Sequence, residues 1–228
     1  MNILALDTAD QVLSAALATG TGVLYTEIDA GRRHSELLME SVEGLCKAAG
    51  IKPWNLGLIA CMKGPGSFTG LRIGFSAAKG MALALKIPFV AVPTLDCLAY
   101  PLSIWPGIVL PALDAKKGCF FAALYREGQR LTEYRDASPE ALAAEITKAR
   151  LFPAEQLILT GCGAELLYSP LAAYIPSDFI KLDPGSKKGG ARELLEIAKS
   201  TILDNSIYSG PMYLRKSDAE LKTGKSEY

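Results

Sequence analysis

Apolar residues occur in the opening part of the chain as short unbroken stretches separated by polar turns. Residues 3–6, 12–18 and 23–28 form three such stretches of strand length, joined by short connections. This spacing predicts a three-stranded meander. Apolar residues at helical spacing then predict a helix over residues 37–45, and another apolar stretch predicts a strand over residues 58–62.

Residues 63–86 join a glycine-rich turn to a longer helix. Ser67 or Thr69 is a suitable N-cap for it. The apolar residues that follow recur on one side of a helix of about 16 residues. These are Leu71, Phe75, Ala78, Ala82 and Leu85. We expect this side to pack on the chain's own core, which completes a βββαβα order for the first half.

The opposite side of this helix lacks the charged residues that a solvent-exposed helix normally carries. It presents Thr69, Ile73, Ser76 and Gly80, with Gly70 beside them. Glycine costs about 1 kcal/mol relative to alanine inside a helix, so repeated glycines need a reason. Close approach by another backbone is one explanation, and a phosphate held at the amino end of the helix is the other.

The second half of the chain alternates in a similar way. Strands are predicted over residues 89–92, 108–113, 120–125, 157–160 and 179–182. Helices are predicted over residues 94–102, 138–149 and 191–202, and a further helix from residue 164. Two similar halves predict a duplicated α/β domain with a boundary near residues 100–106, followed by a C-terminal end without a clear element.

Composition narrows the function. The 228 residues are 50% hydrophobic and 21% charged, with a formal net charge of zero, which argues against a protein that binds nucleic acid on its own surface. No apolar run reaches the ~20 residues of a membrane span. The five cysteines stand singly, without a CxxC pair, so neither a zinc site nor a disulfide framework is predicted. We expect a cytoplasmic protein with buried free thiols.

The sequence offers few candidate residues for catalysis or metal binding. His34 is the only histidine, and Leu38 stands where a helical metal ligand would be, so we predict neither a metal site nor a Ser-His-acid triad and interpret His34 as a surface or helix-start residue. Asp7, Gly64 and Gly66 are weak candidates for nucleotide binding. The glycine-rich turn lacks the Gly-Lys-Ser/Thr ending of a P-loop, and the turn after Asp7 has no glycine, so a nucleotide site would be degenerate.

Several motifs together resemble the TsaB (YeaZ) family. They are ILALDTA, RRHSELL, GPGSFTGLRIG, GMALALKIPFVAVPTLDCLA, ALDAKKGCFFAALY and the late P-x-Y-L-R of residues 211–215. The resemblance covers essentially the whole chain. It implies an actin-like ATPase (ASKHA) fold of two RNase H-like βββαβα lobes, with mixed sheets flanked by helices, which we assign to residues 1–103 and 104–228. It also implies a non-catalytic subunit of the bacterial machinery that makes threonylcarbamoyladenosine at position 37 of tRNAs reading ANN codons.

The resemblance further implies partners. A paralogous catalytic subunit of the TsaD type carries a metal through an HxxxH motif, which this chain does not reproduce because Leu38 follows His34. A TsaE-type ATPase joins the pair, the chain forms a homodimer when alone, and tRNA is reached only through the complex. No cofactor is implied for the isolated chain, which leaves ATP or ADP to the complex. A glycoprotease activity has no support from a single histidine.

The implied partner surface is formed by the two N-terminal helices. We predict that it comprises Ser35, Leu38, Met39, Val42, Leu45, Thr69, Gly70, Ile73, Ser76 and Gly80. Family members commonly have Asp-Ala-Arg where this chain has Asp114-Ala115-Lys116, which puts a specific role there in doubt. The alternatives are an active ATPase or small-molecule kinase on the same fold, and a stand-alone homodimeric binding protein.

Overall fold

Two sheets of the same topology build the protein. The computed structural model describes residues 1–186, 188–201 and 209–215. The first sheet and its helices are β1 (Asn2–Asp7), β2 (Val12–Thr19), β3 (Gly22–Asp29), α1 (His34–Ala48), β4 (Leu56–Gly64), α2 (Phe68–Leu85) and β5 (Phe89–Pro93). The strand order is β3-β2-β1-β4-β5, in which β1, β2 and β3 pair antiparallel and β4 and β5 run parallel to β1. The predicted βββαβα order is confirmed.

The second sheet repeats this order. Its elements are α3 (Thr94–Ala99), β6 (Ile108–Asp114), β7 (Phe120–Ala122), β8 (Tyr125–Arg126), β9 (Gln129–Arg130), β10 (Arg135–Ala137), α4 (Pro139–Ala149), β11 (Leu157–Thr160), α5 (Ala164–Ala172), β12 (Ile180–Leu182) and α6 (Ala191–Ser200). Strands run β10-β7-β6-β11-β12, with β11 parallel to both β6 and β12. The expected fold class, α/β with mixed sheets flanked by helices, is confirmed. The division at residues 103 and 104 stays a prediction.

Two details of the second sheet differ from the sequence prediction. The strand expected over residues 120–125 is divided into β7 and β8, of which β8 pairs with β6 and with β9. The strand β10 was not predicted, because its three residues, Arg-Asp-Ala, carry no apolar alternation. It is defined only by its pairing with β7, from Arg135 opposite Ala122 to Ala137 opposite Phe120.

The continuous apolar runs are explained by burial of both faces of the first sheet. Successive side chains of a strand point to opposite faces. Leu4 and Leu6 therefore pack under α1 and α2, whereas Ile3 and Ala5 pack on the other side against Leu194 and its neighbours on α6.

The last helix of each half packs on the sheet of the other half. Helix α6 follows the second sheet in the chain, yet it covers β1 and β2 of the first. Helix α3 follows the first sheet, and its Leu95 and Ala99 pack against Val109 and Leu113 of β6. The packing of each helix on the sheet of the other half holds the two lobes together. A cleft lies between the β1–β2 turn of the first lobe and the β6–β7 turn of the second.

The remaining sequence expectations have mixed outcomes. Cys46, Cys61 and Cys97 are buried free thiols, as predicted, whereas the free thiols of Cys119 and Cys162 are only half-buried. No helix within the described parts of the chain is both long and apolar enough to cross a bilayer. Helix α6 ends at Ser200, and Ile202, its predicted end, lies outside the described residues, as do residues 216–228 of the C-terminal end.

Candidate functional site

The glycine-rich turn sets the direction in which α2 runs along the first sheet. It also caps the amino end of that helix. Ser67 is the N-cap, and its hydroxyl accepts a hydrogen bond from the N–H of Gly70 at 3.3 Å. The N–H of Ser67 in turn donates to the carbonyl of Ala9 at 2.7 Å. The β1–β2 turn therefore holds the start of α2 in place.

Gly70 and Gly74 are explained by this same turn. Side chains added at these two positions would overlap the carbonyl oxygen and the hydroxyl of Thr8, respectively. The Thr8 hydroxyl also donates to the carbonyl of Gly70 at 2.8 Å. The backbone that approaches closely belongs to the chain itself, so the assignment of Gly70 to the partner surface was wrong.

Helices α1 and α2 lie side by side on one face of the first sheet and expose the opposite side. Of the predicted surface residues, Ser35, Met39, Thr69, Ser76 and Gly80 are exposed and Ile73 is half-buried. Leu38, Val42 and Leu45, in contrast, are at most 6% exposed and belong to the core. Their assignment to the partner surface was wrong, because these residues form the stripe by which α1 packs on its own sheet.

Two glycines on this surface have no internal explanation. Gly44 on α1 and Gly80 on α2 are exposed, and a side chain added at either would meet nothing within 4 Å. Both lie inside helices, where glycine costs about 1 kcal/mol relative to alanine. Together with half-exposed Met39, they lie on the exposed side of the two helices, which we call the α1–α2 surface.

Asp7, Gly64 and Gly66, the three weak candidates for nucleotide binding, have structural roles within the chain. The Asp7 carboxylate is buried and accepts the N–H groups of Ala9 at 2.9 Å and Gly190 at 2.8 Å, so it caps the start of α6. A side chain at Gly64 would stand 2.5 Å from the carbonyl oxygen of Met212, and one at Gly66 would stand 2.5 Å from that of Ala9. These close approaches within the chain explain all three residues without a nucleotide.

Burial is the main reason why the pKa of the Asp7 carboxyl is raised. It raises the pKa of this carboxyl from 3.8 to about 6, against the opposing effect of the N–H groups of Ala9 and Gly190. The raised pKa thus accompanies a structural role at the junction of the two lobes.

A cleft of about 950 Å³ separates the two lobes at the amino end of α2. The first lobe contributes Asp10, Arg32, His34 and the first turn of α2, and the second contributes the β6–β7 turn, Cys162 and Leu166. Burial, followed by the Asp10 carboxylate that accepts its hydrogen bond, raises the pKa of the Cys162 thiol. This thiol is therefore protonated near neutral pH and is a poor nucleophile.

The β6–β7 turn carries two lysines in an unusual conformation. Lys116 and Lys117 have φ angles of 63° and 57°, which cost non-glycine residues roughly 1–2 kcal/mol each. Asp114 stabilises the turn, because it accepts the N–H of Lys116 at 2.7 Å and pairs with its ammonium group at 2.6 Å. Lys116 thus contacts Asp114 through both its backbone and its side chain.

His34 was interpreted as a surface or helix-start residue, and only the second half of this is right. It is the first residue of α1, but it is only 5% exposed and lies in the cleft wall. Its Nε2 is shielded from solvent and has no hydrogen-bond partner in the described part of the protein. Its burial depends on distant segments of the chain, which no local sequence signal reports.

The segment of residues 209–215 crosses from one lobe to the other, and we call it the strap. Its Met212 N–H donates to the carbonyl of Lys63 at 2.7 Å, and the Tyr213 ring packs on Phe68 of α2 with centroids 4.8 Å apart. At its end, Arg215 forms a two-pronged ion pair with Asp136 on β10. The P-x-Y-L-R motif is therefore a structural connection between the lobes.

The described residues include no group of three or more histidine, cysteine, aspartate or glutamate side chains placed to hold a metal ion.

Proteins of known name resemble this chain. A family model described as TsaD: tRNA N6-adenosine threonylcarbamoyltransferase matches residues 15–165. The tRNA threonylcarbamoyladenosine biosynthesis protein TsaB of Bacillus subtilis (strain 168) is 37% identical over 134 residues, 58% of each chain. Its namesake from Escherichia coli (strain K12) is 32% identical over 154 residues, 66% of each chain. The matches thus span less than two thirds of these relatives.

A solved structure extends the similarity to the whole fold. YeaZ from Pseudomonas aeruginosa superposes with a TM-score of 0.77 at 26% identity, and the superposition covers 93% of this chain and 99% of that one.

Proposed function

This chain belongs to the TsaB (YeaZ) family, and on that premise we propose that it is a non-catalytic subunit of the machinery that makes threonylcarbamoyladenosine in tRNA. Its partner is a catalytic subunit of the TsaD type, which shares the same ancestry and carries out the transfer. A TsaE-type ATPase joins this pair, and tRNA is reached through the complex.

The α1–α2 surface is the observation that carries this proposal. Gly44 and Gly80 keep open space above two neighbouring helices at a cost to the stability of each helix. Such small residues allow the backbone of another helix to approach closely. Exposed Met39 and half-buried Ile73 supply apolar area between them, which favours a protein partner over water.

The proposed surface is a corrected version of the one predicted from sequence. It consists of Ser35, Met39, Gly44, Thr69, Ile73, Ser76 and Gly80. Stable interfaces bury about 800 Å² on each side, which two helices of 15 and 18 residues can provide. In the absence of the catalytic subunit, the same surface pairs two copies of this chain.

Contact is the proposed mode of action. Binding of the α1–α2 surface stabilises the competent conformation of the catalytic subunit, because the surface binds that conformation more tightly than any other. No bond is made or broken by this chain. Leu38, which stands where a second helical metal ligand would be, is buried in the core, and ATP or ADP is assigned to the complex.

The alternative of an active ATPase or kinase has less support. Such enzymes need a carboxylate that faces the bound phosphates and their metal, whereas both oxygens of Asp7 accept backbone N–H groups. ATP turnover by the isolated chain that disappears in Asp7→Ala would favour this alternative.

Co-expression with the TsaD-type paralogue from the same genome tests the proposal. We expect the two proteins to co-purify, and we expect modified tRNA to form only when both are present. In Ile73→Glu, a charge replaces an apolar side chain of the proposed surface, so both co-purification and tRNA modification should be lost.

Leu151→Glu is the matched control. Leu151 is 72% exposed and lies after α4, away from the α1–α2 surface, so the same change there should leave pairing and modification intact. Normal pairing by Ile73→Glu, or modification of tRNA by the catalytic subunit alone, would contradict the proposal.

A further inference from the structure

We propose that the strap couples pairing at the α1–α2 surface to the second lobe, so that the chain binds its partner more tightly when both ends of the strap are held. This inference rests on the proposed function, because it concerns the regulation of pairing at that surface. It adds the second lobe, which contributes no residue to the surface, as a determinant of pairing.

One side of α2 holds the strap through three side chains. The ammonium group of Lys79 donates to the carbonyl of Ser209. The Phe68 ring packs on the Tyr213 ring with centroids 4.8 Å apart. Arg72 lies over the Phe68 ring, 3.9 Å from its centre, and donates from Nε to the Tyr213 hydroxyl at 3.3 Å. The strap therefore lies along the same helix that carries half of the α1–α2 surface.

The residues that hold the strap are neighbours of those that would face a partner. Phe68 precedes Thr69 and Arg72 precedes Ile73 in the sequence, so the two rows lie about 100° apart around the helix. A partner helix that covers Ile73 also shields the exposed Arg72 side chain and the Tyr213 ring, which is 41% exposed, from water. A cation held over an aromatic ring is stabilised more strongly once water is removed. Pairing should therefore strengthen the contact between the strap and α2, and a bound strap should strengthen pairing by the same factor.

The first lobe has a place shaped for the middle of the strap. The N–H of Met212 donates to the carbonyl of Lys63 at 2.7 Å. The carbonyl oxygen of Met212 lies 2.5 Å from the position that a Cβ atom of residue 64 would occupy. Gly64 also has a φ angle of 107°, which only glycine adopts readily. Glycine at this position thus leaves room for one particular path of the strap backbone.

Arg215 holds the far end of the strap on the second lobe. Its guanidinium donates to both carboxylate oxygens of Asp136 on β10, at 2.6 and 2.8 Å, and to the carbonyl of Ala115 at 2.5 Å. The arginine and aspartate side chains are only 25% and 18% exposed, so this charge-assisted pair should stabilise the contact more than a surface ion pair does. All three bonds go to the second lobe, so Arg215 can affect α2 only through the strap.

The strap is the element with two arrangements, bound and released. Gly210 and Tyr213 are exposed, and its other residues are only partly buried. Segments with few buried contacts open locally at free energies well below that of global unfolding. Loss of the Arg215 contacts should therefore raise the released population, in which Tyr213 no longer packs on Phe68 and Arg72 loses its hydrogen bond beside the partner surface.

Calorimetry and hydrogen exchange of the full-length chain test this coupling. Wild type and Arg215→Ala are each titrated with the TsaD-type paralogue, and exchange at the Met212 amide is followed without the paralogue. Arg215→Ala should bind the paralogue at least about fivefold more weakly, the lower end of typical coupling between sites. Its Met212 amide should exchange about tenfold faster, because hydrogen bonds to a charged group are lost.

Asp136→Asn separates the strap from a direct contact of Arg215 with the partner. It breaks the same ion pair but keeps the arginine, so it should weaken binding and speed exchange in the same way, and it replaces Arg215→Ala should that variant fail to fold. Arg135→Ala is the matched control. Arg135 is the neighbouring residue on β10, has a 53% exposed side chain and pairs with Glu145 at 3.3 Å, so its loss should change neither binding nor exchange.

Three results would overturn the inference. Faster exchange with normal affinity in both variants would show that the strap is released without effect on pairing. Unchanged exchange would show that Arg215 does not hold the strap. Weaker binding by Arg215→Ala with normal binding by Asp136→Asn would assign the effect to a direct contact. All three leave the proposed function intact, which fails, together with this inference, if Ile73→Glu binds the paralogue as wild type does.

Discussion

The hydroxyl of Thr8 donates a hydrogen bond to the carbonyl of Gly70 at 2.8 Å, across 62 residues of sequence. The carbonyl oxygen of Thr8 lies only 2.0 Å from the place that a Cβ atom of residue 70 would occupy. This contact fastens the β1–β2 turn to the first turn of α2. The glycines at positions 70 and 74 are thus required inside the chain, whereas Gly44 and Gly80 face outward into open space.

Alanine substitutions should separate these two kinds of glycine. Gly70→Ala should lower the free energy of unfolding by at least about 2 kcal/mol, because the new methyl group overlaps backbone that is held from both sides. Gly80→Ala, in the same helix, should raise it by roughly 0.5–1 kcal/mol, because alanine favours helix and nothing lies within 4 Å. Urea unfolding of both variants checks the pair. Equal effects would mean that Gly70 is not confined by Thr8.

The buried Asp7 should make stability depend on pH. Burial raises its pKa from 3.8 to about 6, so the native state holds the proton more tightly than the unfolded state. The resulting stabilisation is full below about pH 4 and is lost as the pH rises through 6. At ~1.4 kcal/mol per pKa unit, the loss is on the order of 3 kcal/mol.

Asp7→Asn isolates this effect because asparagine does not titrate. Urea unfolding at several pH values between 4 and 7.5 should show a difference between wild type and variant that grows toward low pH in favour of wild type. A difference that stays constant over this range would show that Asp7 has an ordinary pKa in the folded protein.

Most of the fold could be predicted from sequence because local patterns define it. Apolar runs bounded by turns predicted the strands, and the helix predicted over residues 138–149 is observed as α4, whose N-cap is Ser138. Strand β10 could not be predicted, because three residues without apolar alternation become a strand only through pairing with β7. The packing of α6 on the first sheet is equally non-local, although the helix itself was predicted from sequence.

The candidate site was less predictable, and α1 shows why. Leu38, Val42 and Leu45 repeat at helical spacing, and a helix of this kind has one apolar stripe, which its own sheet already covers. The proposed partner surface lies among the residues between them, where Met39 and Gly44 carry little signal in a single sequence. The burial of His34 depends on how the turns come together around the first residue of α1, which is a property of the tertiary structure.

The strap should contribute measurably to the connection between the lobes. Arg215 donates from Nε to Asp136 Oδ2 at 2.6 Å and from a terminal nitrogen to Oδ1 at 2.8 Å, and both side chains are at least three-quarters buried. A double-mutant cycle of Arg215→Ala and Asp136→Ala should give a coupling energy of about 1–3 kcal/mol in urea unfolding.

The exposed pair of Lys199 and Glu196 on α6 is the control for this cycle. It has a comparable distance of 2.7 Å but side chains 38% and 47% exposed, so its coupling should not exceed about 0.5 kcal/mol. Equal coupling in the two cycles would mean that the strap end contributes no more than a surface ion pair.

The open space above Gly44 and Gly80 allows stability and pairing to be tested separately. Gly80→Gln and Gly44→Gln should leave the chain at least as stable as wild type, since glutamine favours helix over glycine by roughly 0.5 kcal/mol and meets no neighbour. The same side chains should prevent another helix from approaching, so both variants should run as monomers in size-exclusion chromatography and fail to co-purify with the TsaD-type paralogue.

Gly20→Gln provides the matched control for this last experiment. Gly20 is also exposed and also has nothing within 4 Å of an added side chain, but it lies at the β2–β3 turn, far along the sequence from both helices. This variant should pair normally. Loss of pairing in all three variants would point to a general effect of the substitution, whereas normal pairing in Gly44→Gln and Gly80→Gln would show that the glycines keep their open space for a reason other than a partner helix.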